Sequence, residues 1–153
     1  MRVISVLFLV VLSSHIIFAQ DATEKQPTTL DGISLGMTKE QVKAVFPHPT
    51  SEGYDDNLWL FDSTNISITF DDNGVVTEVI SDDPNSVIIF EGLLIPIGSS
   101  MEKAAGYLGP PTKTFNTDMV SEYYFADAGV VLLTFAGEDG IALLSLTKTY
   151  DKE

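Results

Sequence analysis

Cysteine is missing from this chain, and arginine is nearly so. Without thiols there is no disulfide framework, thiolate metal site or cysteine nucleophile, so the hydrophobic core has to stabilise the fold by itself. Arg2 is the single arginine, and the formal net charge is −14. A chain this acidic repels nucleic acids and anionic lipids, and it lacks the planar guanidinium that binds phosphate through two hydrogen bonds. We therefore expect no nucleic-acid partner.

Histidine is also scarce, and His48 is the one that follows the N-terminal apolar run. Catalytic triads and zinc sites need several partners arranged around such a residue, and no glycine-rich phosphate motif is present. Paired aspartates occur at 55–56, 71–72 and 82–83, where they favour turns. We predict no metal, no cofactor and no enzymatic activity. A hydrolase that works through two carboxylates is the alternative.

The N-terminus has the layout of a secretory signal peptide. Met1 and Arg2 give a positive start, an apolar run follows over 3–12, and Ala19 ends a second apolar stretch. This pattern predicts a signal peptide at 1–19, because the run is shorter than the roughly 20 apolar residues of a membrane-spanning helix. Residues 20–30 are polar and predict a flexible leader. The expected location is the periplasm or the medium, with no stable membrane insertion after cleavage.

The remainder of the chain appears twice in similar order. Ile33-Ser34-Leu35-Gly36 matches Ile95-Pro96-Ile97-Gly98, and Ile66-Ser67-Ile68-Thr69-Phe70 matches Val131-Leu132-Leu133-Thr134-Phe135. Matching segments that occur twice in the same order are the signature of an internal repeat. We therefore predict repeat 1 at 31–85 and repeat 2 at 86–150.

Each predicted repeat contains a helix signal followed by a hairpin signal. Thr38 and Gln41 have the spacing of a capping box, and Pro47 stops the helix. The run 71–74 (Asp-Asp-Asn-Gly) between two apolar segments predicts a tight turn. The predicted fold is α+β, with two tandem repeats, each a short helical segment packed on an antiparallel β-meander.

Aromatic residues in the predicted strands are the candidate binding residues. Alternation along a strand sends Trp59 and Phe61 to one face and Leu58 and Leu60 to the other. One of these pairs faces the helix and the other lies on the open face, where aromatic side chains often anchor a partner. That all the aromatic residues are core is the alternative. The candidate partner-binding residues are Tyr54, Trp59, Phe61, Tyr123 and Tyr124.

Residues 36–46 (GMTKEQVKAVF), Trp59-Leu60-Phe61 and residues 66–79 (ISITFDDNGVVTEV) together resemble the SmpA/OmlA family, the BamE-like outer-membrane assembly lipoproteins. Two such units in one exported chain are similar to the β-lactamase inhibitor protein family. The resemblance covers most of 31–148, although the lipobox cysteine and the disulfides are missing. It implies an antiparallel sheet with helices on one face, and protein contacts made by the other face or the loops.

The predicted function is therefore an exported, non-enzymatic protein-binding module that acts through an open sheet face and loops. The alternative that the resemblance implies is an envelope assembly or scaffold factor of BamE-like type. The partner is predicted to be a protein in both cases.

Overall fold

A computed structural model of the chain describes residues 26–52 and 56–148. The predicted signal peptide, most of the leader, Tyr54 and the last residues of repeat 2 lie outside these ranges. No helix in the described ranges has the length and apolar character needed to cross a membrane. The described elements are β1 (Thr29–Leu30), α1 (Lys39–Val45), β2 (Ser51–Glu52), β3 (Leu58–Phe61), β4 (Ile66–Phe70), β5 (Val76–Ser81), β6 (Val87–Phe90), β7 (Leu93–Pro96), α2 (Met101–Leu108), β8 (Lys113–Asn116), β9 (Val120–Phe125), a 3-10 turn (Ala126–Ala128), β10 (Val130–Phe135) and β11 (Ile141–Thr147).

The strands form two sheets. The large sheet has eight strands in the order β2-β3-β4-β5-β11-β10-β9-β8, and its neighbours are antiparallel. The pairing of β5 with β11, with Val79 opposite Leu146, joins the two halves at its centre. The small sheet has three strands in the order β1-β6-β7.

The predicted α+β fold of two helix-on-meander repeats is wrong. The described part of the chain is mostly β, and its helices have 7 and 8 residues and bury one residue each, Val42 and Ala104. Helices this small cannot cover a meander. The meanders instead join edge to edge through β5 and β11, which removes two free strand edges. The division of the chain at 85/86 stays a prediction.

Both helices begin at a hydroxyl cap. Thr38 Oγ1 accepts a hydrogen bond of 3.3 Å from the N–H of Gln41, and the Gln41 side chain accepts one of 2.8 Å from the N–H of Thr38. This is the predicted capping box. Ser100 accepts from the N–H of Lys103 at 3.3 Å and caps α2. These bonds satisfy amide groups that the first helical turn leaves without a partner.

A single core lies between the large sheet, the two helices and the small sheet. The face of the large sheet that points into this core is termed the inner face. Phe46, just after α1, places its ring 5.2 Å from the ring of Phe61 on β3. The fully buried core side chains come from every layer, namely Leu30, Ile33, Val42, Ile68, Val76, Val79, Ile88, Ala104, Leu132, Leu144 and Leu146.

A buried polar chain ties the small sheet to the large one. Asp31 accepts from the hydroxyl of Ser86 at 2.5 Å and from the N–H of Val87 at 2.8 Å. The hydroxyls of Ser86 and Ser81 lie 2.6 Å apart. Since buried polar groups are costly without partners, this chain fixes the turn between β5 and β6.

The turn between β4 and β5 is held by Asp71. Its carboxylate accepts from the N–H groups of Val75 and Asn73, each at 3.0 Å, and Gly74 supplies the positive φ of 73° that the turn requires. The hydrogen bond from Val75, with those from Asn73 and the nearby charge of Lys148, lowers the pKa of Asp71 below its ordinary 3.8, although partial desolvation acts in the opposite direction.

We expect this turn to weaken in acid. A carboxyl group with a lowered folded pKa stabilises the fold at pH values above its unfolded pKa, and this contribution disappears as the pH falls through the folded pKa. The stability difference between the wild type and Asp71→Ala should therefore be full at neutral pH and shrink below pH 3.8. Urea unfolding at a series of pH values measures it, with an NMR titration of the Asp71 carboxyl. A difference that is constant with pH would contradict the charge dependence.

Candidate docking surface

Trp59 and Phe61, two of the predicted binding residues, point into the core. Their side chains are 5 % and 3 % exposed. The Trp59 ring meets Phe70 edge-on with centroids 4.8 Å apart, and Lys43 Nζ lies 5.1 Å from the same ring. Both residues stabilise the fold and offer no surface to a partner.

The tyrosines lie on opposite faces of β9. Tyr123 pairs with Leu132 and packs against the core, so it belongs to the inner face. Tyr124 is on the other face, but it is only 6 % exposed, and its hydroxyl donates to the Glu122 carboxylate. Tyr54 lies outside the described residues. The structure therefore does not bring the four described residues of this set together on one accessible surface.

The other face of the large sheet, termed the open face, consists of the side chains that alternate with the core residues. Residues paired across antiparallel strands share a face, so each row can be followed from strand to strand. The rows of the open face are Leu60–Ser67–Ile80–Ser145–Val131–Tyr124–Lys113, Leu58–Thr69–Glu78–Thr147, Leu143–Leu133–Glu122–Phe115 and Phe135–Val120.

The open face is rich in apolar side chains. Leu58 and Leu60 on β3 are 36 % and 37 % exposed, whereas Phe115 and Phe135 at the far end are 55 % and 51 % exposed. Ile80, Leu133 and Leu143 lie between them and are partly exposed. Since monomeric proteins seldom leave a large contiguous apolar patch in water, such a face is typical of a docking surface.

Charged groups stand at the two ends of the open face, carboxylates at one end and both lysines and a carboxylate at the other. A hollow of about 330 Å³ has Leu60, Ile80 and Leu143 in its lining and the carboxylates of Asp62 and Asp82 at its edge. A second hollow, of about 530 Å³, is lined at the other end by residues that include Val131, Tyr124, Asp127, Lys113 and Lys148. The apolar middle can bury a partner's apolar surface, and the charged ends can orient it.

Part of this surface could be predicted from the sequence. The alternation in β3 offered Leu58 and Leu60 as the other possible outward pair. Strands β10 and β11 are apolar on both faces, and Leu133 and Leu143 are the outward members. No local pattern shows which of two apolar faces points inward, because that depends on where the helices and the small sheet pack.

Across 26–52 and 56–148, no three histidine, cysteine, aspartate or glutamate side chains lie close enough together to hold a metal ion. The open face itself carries hydroxyl, carboxylate and aliphatic groups in rows. This arrangement suits a flat or convex partner surface.

Comparisons with known proteins give little further information. No protein-family model matches the chain, and no curated protein matches it. The chain is similar to a solved structure, that of a DUF4309 family protein (YjgB) from Bacillus subtilis subsp. subtilis str. 168, with 14 % sequence identity and a TM-score of 0.49. The match covers 77 % of this chain and 83 % of that one. The resemblance to the BamE-like and β-lactamase inhibitor families stays a prediction.

Proposed function

We propose that this chain is an exported, non-enzymatic protein-binding module whose open face takes a protein partner with an apolar patch flanked by basic residues. The observation that carries this proposal is the hollow in which the partly exposed side chains of Leu60, Ile80 and Leu143 lie together beside the carboxylates of Asp62 and Asp82. The net charge of −14 favours the approach of a basic partner and repels an acidic one.

The partner's chemistry follows from the end of the face at which Asp62 and Asp82 lie. Leu60 and Leu143 can bury aliphatic or aromatic groups, and a lysine or arginine beside those groups would reach Asp62 and Asp82. Burial of one leucine side chain is worth about 1.5–3 kcal/mol. The apolar contacts therefore supply most of the affinity, whereas the carboxylates act on orientation and association rate.

Binding of a helical leucine/lysine peptide tests this chemistry. We expect the fluorescence anisotropy of the labelled peptide to rise with the wild-type protein. The double variant Leu60→Asn, Leu143→Asn should weaken binding at least about tenfold, since each tenfold step equals ~1.4 kcal/mol. Asp62→Asn together with Asp82→Asn should lower the association rate and its salt dependence.

The matched control is Leu94→Asn, which changes a 55 % exposed leucine on the small sheet. It should bind the leucine/lysine peptide as the wild type does, and a leucine/glutamate peptide should bind more weakly because the acidic chain repels it. Equal loss of affinity in Leu94→Asn and in the open-face variant would reduce the interaction to general charge attraction and contradict the proposal. A natural partner can be crosslinked by a photoreactive residue placed at position 60. Once purified, it should lose affinity for the open-face variant and keep its affinity for Leu94→Asn, as the peptide does.

A further inference from the structure

The larger hollow, at the β8 end of the open face, has walls held by hydrogen bonds. The N–H and the hydroxyl of Thr112 donate to the carbonyl of Tyr124 at 2.7 and 2.9 Å, and the N–H of Ala126 donates to the same hydroxyl oxygen at 3.2 Å. The N–H of Thr147 donates to the carbonyl of Gly129 at 2.9 Å. These bonds join the ends of four strands to the 3-10 turn. The hollow is thus pre-formed by the sheet, and its volume of about 530 Å³ is in the range of small-molecule sites.

Two lysines line this hollow, and they differ in their surroundings from the other lysines. Of the five lysines that the structure describes, three have Nζ between 5.1 and 6.0 Å from aromatic ring centroids, namely Lys39, Lys43 and Lys103. The other two, Lys113 and Lys148, are exposed and both line the hollow. In a chain with a net charge of −14, they form a local positive site. Two ammonium groups attract a carboxylate.

A carboxylate and apolar groups complete the lining. Asp127, on the 3-10 turn, is exposed at the hollow, and Val131 and Tyr124 contribute apolar wall. A ligand that carried only a carboxylate would lie beside Asp127 and in the field of an acidic chain, and both would oppose its binding. A ligand that also carries an ammonium group can pair with Asp127. Because such a ligand has no net charge, the field of the chain does not repel it.

We infer that this hollow binds a zwitterion with an apolar side chain, which is the chemistry of an α-amino acid or of a short peptide with free termini. The carboxylate of the ligand lies at Lys113 and Lys148, and its ammonium group meets Asp127. Its side chains lie against Val131 and Tyr124. The volume of about 530 Å³ accommodates more than one amino-acid residue, so a short peptide should bind more tightly than a free amino acid. This inference does not rest on protein docking at the acidic end of the open face.

Amide NMR shifts of the isotope-labelled chain, recorded during titration with leucyl-leucine, test the inference. We expect the shifts to change at the residues that line the hollow. N-acetyl-leucyl-leucine lacks the ammonium group and leucyl-leucine amide lacks the carboxylate, and each should bind at least about tenfold more weakly. The amide should do so although an acidic chain attracts a net cation. Leucine and trileucine, titrated in the same way, distinguish a site for free amino acids from a site for peptides.

Charge-removing variants assign each charged group of the ligand to its partner. Asp127→Asn should lose the preference for leucyl-leucine over its N-acetyl form, because the carboxylate that pairs with the ammonium group is gone. Lys113→Gln combined with Lys148→Gln should lose the preference for leucyl-leucine over its amide. Lys148 also acts on the Asp71 carboxylate, so circular dichroism has to show the double variant folded. Lys113→Gln alone should reduce the same preference.

The matched controls are Asp118→Asn in the β8–β9 turn and Lys103→Gln on α2, which remove exposed charges of the same sign away from the hollow. Both should keep the wild-type preference for free termini. The inference is overturned if the N-acetyl form or the amide binds the wild type as tightly as leucyl-leucine does. It is also overturned if none of these ligands binds at about millimolar concentration, or if Asp118→Asn abolishes the preference that Asp127→Asn leaves intact.

Discussion

Replacing Trp59 with alanine should lower the free energy of unfolding by about 3–5 kcal/mol, the usual cost of removing a buried aromatic side chain. Trp59 is 5 % exposed and packs edge-on against Phe70, while Lys39 Nζ and Lys43 Nζ lie 5.8 and 5.1 Å from its ring. The substitution therefore removes packing and two cation–π contacts together. Urea unfolding followed by circular dichroism measures the change.

Leu58→Ala is the matched control for Trp59→Ala. Leu58 is the preceding residue on β3, and it is 36 % exposed on the open face. Truncation there should change stability by less than about 1 kcal/mol, because most surface substitutions have small effects. If Trp59→Ala unfolds at the wild-type urea concentration, the indole does not belong to the core and its assignment to the inner face is wrong.

Leu144→Ala should cost about 2–5 kcal/mol, the range for a fully buried leucine. Leu144 lies on central strand β11, with Ser81 of β5 on one side and Leu132 of β10 on the other. It is 0 % exposed. Because β5 and β11 join the two halves into one sheet, we expect the variant to unfold in one transition, as the wild type does.

Two probes decide whether the halves unfold together. Fluorescence of Trp59, the single tryptophan, reports on the first half, and circular dichroism reports on all strands. Coincident urea curves in the wild type and in Leu144→Ala are the expected result. Separate transitions would mean that the halves fold independently and that the β5–β11 pair adds little. Leu143→Ala, one residue away on the open face, should cost clearly less.

The local features could be predicted from neighbouring residues. The capping box of Thr38 and Gln41 and the turn held by Asp71 each depend on residues within a few positions of one another. Their hydrogen bonds close short loops, so their geometry depends little on the remainder of the chain. The strands on either side of the Asp71 turn were predictable for the same reason.

The candidate surface could be predicted only in part. Alternation separated Trp59 and Phe61 from Leu58 and Leu60, but it did not show which pair was outward. The aromatic pair proved to be the core pair, since Phe46, Val42 and the small sheet pack on that side. Large aromatic rings bury the most apolar area. The fold is therefore more stable with the aromatic pair in the core and the leucine pair on the surface.

The amino-acid sequence by itself determined the acidity, the absence of thiol chemistry, the positions of the turns and helix starts, and the two-residue alternation of the strands. Only the tertiary structure decided that β5 pairs with β11, that β1, β6 and β7 form a separate sheet, and that the leucine face is open. The physical reason is the separation along the chain of the residues that interact. Caps and turns depend on hydrogen bonds between near neighbours, whereas strand partners and buried faces depend on apolar area contributed by segments far apart along the chain.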